Sequence, residues 1–305
     1  MATNTRSTLF NLLVEGIKEH FGTGYEQYDK TYLKFFDYVK SNGETEQYQE
    51  TGGFGLHSVK AEASTAALDT VNQGPKTYIE NIAYAKRYLI SHELMADNKY
   101  QKAVNDALDL GRSAANTIEV ACINRLNTAF STAAADILAD GSAMCATGHA
   151  LSGSGGTSSN AAGTPSALSE TSLTTAMTTI AGLVDPRGNK LQARAEMLIV
   201  PQESDIAAQK LLHSTLMVGG NNNDLNPYGR SWGRLPKGYV TVQDLTDTNA
   251  FFIRTNIRGL VFQEREKARI MEDFQNASMT KELVSYLRFG VGCFDFRSIY
   301  GNAGA

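Results

Sequence analysis

A helical pattern without proline runs from residue 96 to residue 130, and it constrains the fold of this chain more than any other feature. At about 1.5 Å per residue such a helix would be about 50 Å long, which exceeds the usual length in a globular domain. Gly111 lies in its middle and predicts a bend or a tightly packed neighbour. The residues that repeat at intervals of three and four are Ala103, Ala107, Leu110, Ala114, Ile118, Ala121, Cys122 and Arg125.

The first 41 residues predict a helix followed by an aromatic segment. Apolar spacings of three and four predict a helix over 7–21, which Gly22 and Gly24 would end. We interpret 1–41 as an arm that buries its aromatic side chains in a core or an interface. These side chains are Tyr25, Tyr28, Tyr32, Phe35, Phe36 and Tyr38.

Residues 42–77 contain few large apolar side chains, which is unusual for so long a segment inside a compact domain. We interpret them as a projecting, two-stranded loop. Alternation of apolar and polar residues over 78–92 predicts a strand that returns to the body, although Tyr84 and Tyr88 would also fit a helix.

The second half of the chain mixes helices and strands. The Gly- and Ser-rich residues 140–170 predict a surface loop or linker. A helix over 169–184, with Ser169 as N-cap, and a turn at 185–188 follow. A strand over 195–200 then ends at Pro201, before a helix over 202–212. Residues 218–237 read as loop and 238–300 as β-rich, so we place a domain boundary near 150–170 and a return across it after about 250.

Composition excludes several classes of protein. Lys and Arg number 28 against 32 for Asp and Glu, and the net charge of −4 argues against a mainly electrostatic nucleic-acid binder. The three cysteines lie far apart and do not form a disulfide framework. No apolar run is long enough for a membrane span, and no secretory signal is evident.

Motifs of enzymes and of metal or cofactor sites do not occur in recognisable form. The Gly-rich run at 153–156 lacks the Lys of a phosphate loop, and Ser58 breaks a dinucleotide fingerprint after Gly53. Cys145 and His149 have no second pair at zinc-site spacing. We therefore predict no catalytic, cofactor-binding or metal-binding residues, no cofactor and no enzymatic activity. Scattered residues could still assemble a site.

The order of these segments resembles the major capsid proteins of tailed bacteriophages, of the Mu-like major head subunit type, over nearly the whole length. Four features carry the resemblance, and their order and spacing matter more than any one of them. They are the polar arm with Thr51-Gly-Gly-Phe-Gly-Leu56 before the strand 78–93, the long helix 96–130, the segment 139–160, and the strand–Pro–helix series from Met197-Leu-Ile-Val-Pro201 to Leu212.

The resemblance implies an α+β Hong Kong 97-like phage capsid fold. In this fold we expect an N-terminal arm over 1–41 and an extended β-hairpin loop over 42–77. We expect a peripheral domain over 78–168 and 251–305, built on the spine helix at about 96–130, and an axial α/β domain over 169–250. Pentamers and hexamers of the subunit would form an icosahedral shell around double-stranded DNA in the virion, after assembly in the host cytoplasm.

The same resemblance suggests partners and contact residues. Because the arm begins almost at Met1, we expect a separate scaffolding protein, with a decoration protein and a portal as further partners, no sequence-specific DNA binding and no membrane. Lys60 and Lys76 lie in the loop, but no Asn and Glu match the partners of a covalent cross-link, so we expect none. The intersubunit contact candidates are Phe10, Tyr25, Tyr32, Phe36, Phe54, Leu56, Tyr228 and Trp232.

Other classes of protein stay open at this point. A cellular nanocompartment shell of the same fold would enclose cargo enzymes instead of DNA. A tail or connector protein would form tubes or rings. An enzyme of unrecognised class would be a folded monomer with a deep pocket and perturbed titratable groups. For Trp232, burial within its own domain is as plausible as an interface.

Overall fold

The computed structural model describes residues 6–91, 100–216, 226–228, 234–275 and 280–305, and the side chains of these residues except 6–14, 100 and 274–275. Two long helices, α1 (Arg6–Gln27) and α2 (Tyr100–Asn127), pack against each other. The predicted spine helix is thus confirmed over 100–127, whereas 96–99 lie outside the described residues.

Glycines set how closely these two helices approach. A Cβ atom on Gly111 would lie 2.2 Å from the Phe21 carbonyl oxygen, and one on Gly24 would lie 2.2 Å from that of Leu108. Gly111 therefore marks a close contact, as one of the two interpretations predicted. The expectation that Gly22 and Gly24 end α1 is wrong, because α1 continues to Gln27 and needs Gly24 for its approach to α2.

The first of two four-stranded sheets has the order β1-β10-β11-β4. Its strands are β1 (Asp37–Lys40), β10 (Leu260–Gln275), β11 (Thr280–Cys293) and β4 (Ile82–Ser91). β1 runs parallel to β10, and the other pairs are antiparallel. Helices α1 and α2 pack on this sheet through a small buried cluster made by Ile17, Ile90, Ala103, Ala107 and Leu283.

The second sheet has the order β12-β9-β7-β8, with β7 (Ala195–Pro201) inside it. Its other strands are β8 (Tyr239–Val242), β9 (Phe251–Thr255) and β12 (Ile299–Asn302). Helices α3 (Glu170–Ala181) and α4 (Asp205–His213) share its core. Ser169 caps α3 as predicted, since its hydroxyl accepts a hydrogen bond from the Ser172 amide at 3.2 Å.

The strand pairing differs from the expected division of the chain. We expected 251–305 to belong entirely to the peripheral domain, but β9 and β12 pair in the sheet of β7, which belongs to the expected axial domain. All five residues of β9 are buried, and a strand so buried needs neighbours on both edges and cover on both faces. The long strands β10 and β11, which lie between β9 and β12 in the sequence, pair in the first sheet.

The segment 42–77 forms the predicted two-stranded loop, and its second strand continues to Glu80. Strands β2 (Thr45–Thr51) and β3 (Gln73–Glu80) pair antiparallel, and β3 leads through Asn81 into β4. The strand interpretation of 78–91 is therefore confirmed and the helical alternative is wrong. Two short strands, β5 (His149–Ala150) and β6 (Thr157–Ser158), pair within the Gly-rich segment.

Candidate assembly surface on the extended loop

The tip of the extended loop presents apolar side chains to solvent. Every residue from 56 to 71 is exposed, and the side chains of Phe54 and Leu56 are 68% and 85% exposed. Exposed apolar groups in one segment mark an interaction surface more often than a free surface. The large apolar residues exposed on the loop are Phe54, Leu56, Val59, Leu68, Val71 and Tyr78.

The loop also carries the negative charge of the chain. Residues 42–80 contain six carboxylates and two lysines, a net charge of −4 that equals the net charge of the whole protein. The rest of the chain is therefore balanced. The carboxylates are Glu44, Glu46, Glu50, Glu62, Asp69 and Glu80.

An ion pair fastens the tip of the loop to the turn before β7. Arg187 Nη1 lies 2.9 Å from Asp69 Oδ1, and Arg187 also donates to the Thr70 carbonyl oxygen. The Gly55 amide donates to Asp69 Oδ2 at 2.7 Å. This amide and the guanidinium hold the pKa of Asp69 below its usual value. One carboxylate thus joins the two sides of the tip to the turn 185–188.

A buried arginine fastens the base of the loop to the body. Arg297 is 3% exposed, and its Nη1 donates to Glu50 Oε1 at 2.8 Å and to Asp295 Oδ1 at 3.1 Å. Its Nε donates to the Val184 carbonyl oxygen at 2.7 Å. Burial raises the pKa of Asp295, and the adjacent guanidinium opposes this rise. The pairing therefore connects β2 to the turn before β12.

Stacking and hydrogen bonds fix the direction of the hairpin. The ring of Tyr48 stacks on Phe294 with centroids 4.5 Å apart, and its hydroxyl accepts a hydrogen bond from Gln263 Nε2 at 2.7 Å. At the root of the loop, Asn81 Nδ2 donates to Ser41 Oγ at 2.6 Å and to the Gly43 carbonyl oxygen at 3.0 Å. These contacts hold the loop, which is mostly polar, outside the hydrophobic core.

The predicted contact residues fall into two groups. Phe54 and Leu56 are exposed on the loop, whereas Tyr25, Tyr32 and Phe36 are buried in the core of their own chain. Burial accounts for these three aromatic side chains without a partner, so an intersubunit contact stays a prediction for them. The side chain of Phe10 and all of Trp232 lie outside what the structure describes.

Tyr228, the remaining candidate, is also buried. Its hydroxyl shares a hydrogen bond of 2.6 Å with Thr174 Oγ1 on α3. Tyr228 therefore contacts α3 of its own chain, and its contact with another subunit stays a prediction.

Among the described residues, a hydrogen-bonded group of Asp140, His149 and Asn160 most resembles an active site, and it lies inside the segment that we expected to be a surface loop or linker. His149 is fully buried, with Nδ1 2.6 Å from Asp140 Oδ2 and Nε2 2.9 Å from Asn160 Oδ1. Its ring stacks on Phe296 at 3.9 Å. The prediction of a surface loop is thus confirmed for 152–157 and 163–165, which are exposed, and wrong for His149 and Asn160, which are buried. Sequence spacing gave no signal of their hydrogen bonds.

This buried cluster holds the chain together, and the cavity beside its Asp140 and Phe296 has a volume of about 20 Å³, which suits a water molecule but not a substrate. Asn160 Nδ2 donates to the carbonyl oxygens of Met144, Phe296 and Ile299 at 2.8–2.9 Å. Burial acts to raise the pKa of Asp140, but the hydrogen bonds from His149 and the Ser142 amide, with the charge interaction with His149, together hold that pKa below its usual value. The segment 140–160 is thereby tied to the C-terminal strand β12.

The described part of the chain gives little support for metal binding, a membrane-spanning helix or a reactive cysteine. Among those residues no three His, Cys, Asp or Glu side chains gather as metal ligands would. The described helices include none with the length and apolar character that a bilayer crossing requires. Cys122, Cys145 and Cys293 are buried, and burial raises the pKa of each thiol, which makes them poor nucleophiles.

Comparison with solved structures identifies similar folds among virus and phage capsids. The virus-like particle from Pyrococcus furiosus is 12% identical, with a TM-score of 0.57 over 94% of this chain and 98% of that one. The capsid of an empty GTA particle is 16% identical, with a TM-score of 0.54 over 90% of both chains. The procapsid of bacteriophage JBD30 is 12% identical, with a TM-score of 0.53 over 99% of this chain and 76% of that one.

The family assignment rests on the sequence. A comparison with curated protein sequences finds no match. The family model described as phage capsid protein matches residues 76–302, which is most of the chain and includes the spine helix, the second sheet and every strand of the first sheet except β1. The chain therefore belongs to the phage capsid protein family, and it has the Hong Kong 97-like fold of the major capsid proteins that form phage head shells.

Proposed function

We propose that this major capsid protein assembles as pentamers and hexamers into a closed icosahedral shell, with the extended loop of each subunit packed on a neighbouring subunit. The observation that carries the proposal is the loop itself. Its apolar residues Phe54 and Leu56 face solvent, while Asp69 and Glu50 hold its tip and base in place. A surface ordered in advance loses little entropy on association.

Charge supports a second copy of the chain as the partner of the loop. The loop is acidic, whereas residues 81–91, which include the edge strand β4, contain Lys86 and Arg87 and no carboxylate. Exposed apolar groups, Ile82 and Leu89, lie on the same strand. We infer that the acidic loop and the basic edge strand of neighbouring subunits attract each other, which guides the subunits into register.

The remaining partners follow from the same proposal. A separate scaffolding protein would direct closure, a decoration protein would reinforce the outer surface, and a portal would occupy one vertex. The shell would enclose double-stranded DNA without sequence-specific binding, since the net charge of −4 gives no general attraction to phosphate. Assembly would take place in the host cytoplasm. The subunit would have a structural role in the virion and no enzymatic activity.

A double variant in the loop tests the proposal. Phe54→Asp with Leu56→Asp replaces two exposed side chains, so we expect the subunit to fold normally and to lose shell closure. The matched control, His57→Asp with Ser58→Asp, adds the same two charges in the same loop while both apolar side chains stay. Closed particles from the control and none from the first variant would support the role of the loop, and unchanged assembly of both would refute it.

A shell that encloses other cargo is the second candidate. The similarity to a virus-like particle over 94% of the chain favours it, because a closed particle of this fold then need not be a phage head. Nucleic acid extracted from purified particles distinguishes the two. DNA protected from nuclease supports the phage head, and an enzyme in its place supports the alternative.

A further inference from the structure

Two segments of the chain contact helix α2 at positions about three turns apart. Tyr28, just beyond α1, donates a hydrogen bond from its hydroxyl to Asn116 Oδ1 at 2.8 Å. The segment after β8 meets the same helix at Asn127, whose Nδ2 donates to the Asp244 carbonyl oxygen and whose Oδ1 accepts from the Thr246 amide, each at 3.1 Å. The N-terminal segment and the sheet of β7 are thus both attached to α2.

Glu119 lies on α2 between these two contacts and is 4% exposed. Its Oε2 accepts a hydrogen bond from the Tyr32 amide at 3.3 Å, and the Thr31 side chain donates a further one. Within the described residues, no Lys, Arg or His forms an ion pair with it. A buried carboxylate without a cation and with few donors is costly, so the group favours its protonated form.

The charged and titratable groups around Glu119 do not supply a cation. From the N-terminal segment Tyr28, Asp29 and Tyr32 face it, and from the segment after β8 Asp244 faces it. Cys122 lies near it on α2 itself. Both neighbouring carboxylates belong to the other two segments, so an ionised Glu119 would repel the two parts that it helps to join.

We propose that Glu119 is a proton-controlled joint, which holds the N-terminal turn and the 243–247 segment against α2 when it is protonated and loosens both when it is ionised. The turn Thr31–Lys34 contacts Glu119 through the Tyr32 amide and the Thr31 side chain. Because an ionised side chain needs water, we expect this turn to separate from the helix when Glu119 ionises. The joint thus makes the position of the N-terminal segment depend on pH.

The pH range over which the joint should open follows from the pKa of Glu119 in its closed and open states. Burial, with smaller contributions from Asp29 and Asp244, raises the pKa of Glu119 from 4.5 to about 7. The closed joint therefore binds a proton that the open joint releases, and its stability falls as pH rises through this interval. With those two values, the ratio of open to closed joint rises about tenfold between pH 6 and pH 8.

Hydrogen exchange on the full-length protein tests the proposal. After correction for the intrinsic dependence of exchange on pH, we expect peptides that cover 28–36 and 243–247 to exchange about tenfold faster at pH 8 than at pH 6. Peptides from β7 should not change. In Glu119→Gln, which cannot ionise, the pH dependence of both peptides should disappear. Asp109→Asn, on the exposed side of the same helix, is the control and should behave as wild type.

Two results would overturn the proposal. One is wild-type exchange in 28–36 and 243–247 that is flat from pH 6 to pH 8, or that rises equally in all peptides. The other is a Glu119→Gln variant that keeps the wild-type dependence. If this variant does not fold, the wild-type result alone decides, because a rise confined to the two segments supports the joint and any other pattern contradicts it.

Discussion

Arg297 and Glu50 form a buried ion pair in which Nη1 and Oε1 are 2.8 Å apart, and this pair joins the extended loop to the C-terminal end of the chain. The two residues lie 247 positions apart in sequence. The orientation of the loop therefore depends in part on the C-terminal turn that carries Arg297. A surface that acts between subunits is thus fixed by a contact within one subunit.

Loss of Arg297 should destabilise the protein strongly. Arg297→Met leaves the partly buried Glu50 and Asp295 without their cation, so we expect the free energy of unfolding to fall by about 3 kcal/mol. Arg112→Met, which removes an exposed pair with Asp109, is the control and should cost less than about 1 kcal/mol. Urea unfolding measures both. Equal effects would contradict the structural role of the buried pair.

Release of the loop tip should change proteolysis and leave overall stability intact. Asp69→Ala removes the pair with Arg187 and the bond to the Gly55 amide, so trypsin should cleave after the exposed Lys60 several-fold faster. The control is Glu44→Ala, an exposed carboxylate at the root of the same loop. Cleavage at the wild-type rate, or a fall in melting temperature, would show that Asp69 does not act as a local fastening.

Two glycine substitutions in the helix pair should have opposite effects. In Gly111→Ala the new Cβ meets the Phe21 carbonyl oxygen at 2.2 Å, and separation of the two helices should cost about 2 kcal/mol. Gly22→Ala places a Cβ with no atom within 4 Å, so the higher helix propensity of alanine should stabilise the protein by up to about 1 kcal/mol. Thermal unfolding checks the signs, and stabilisation by both changes would disprove the close approach.

The buried cluster at His149 should contribute to the free energy of unfolding, and this contribution should be lost in acid. The pKa of Asp140 lies below its ordinary value of 3.8, so the bond to His149 contributes fully above pH 3.8 and is lost as pH falls through the lower, folded value. Asp140→Asn should therefore cost about 2 kcal/mol at pH 6. Its difference from wild type should shrink below pH 3.8. A difference that grows in acid would contradict this assignment.

Local patterns predicted much of the fold. The spacing of small residues on α2, the Ser169 cap and the apolar run of β7 each depend on neighbours in sequence, and the structure confirms all three. The order of these segments was also sufficient to suggest the family. In contrast, the end of α1 was predicted wrongly, since Gly24 serves a contact with Leu108 that lies far away in sequence.

The ion pairs that hold the loop in place could not be predicted, because each joins residues that are far apart in the sequence. Glu50 pairs with Arg297 and Asp69 with Arg187, and neither partner carries a motif. Whether the aromatic residues of the N-terminal segment fill a core or an interface could not be predicted for a similar reason. Tyr25 and Tyr32 look alike whether they fill a core or an interface, and only the packing of α1 on α2 shows that they are buried.

Electron microscopy of the full-length protein, expressed alone and together with the genes that neighbour it, shows whether the subunits close into a shell. We expect closed particles of uniform diameter in at least one of the two preparations. Small monodisperse species in both preparations would contradict this expectation and would leave the exposed, fastened loop without a partner.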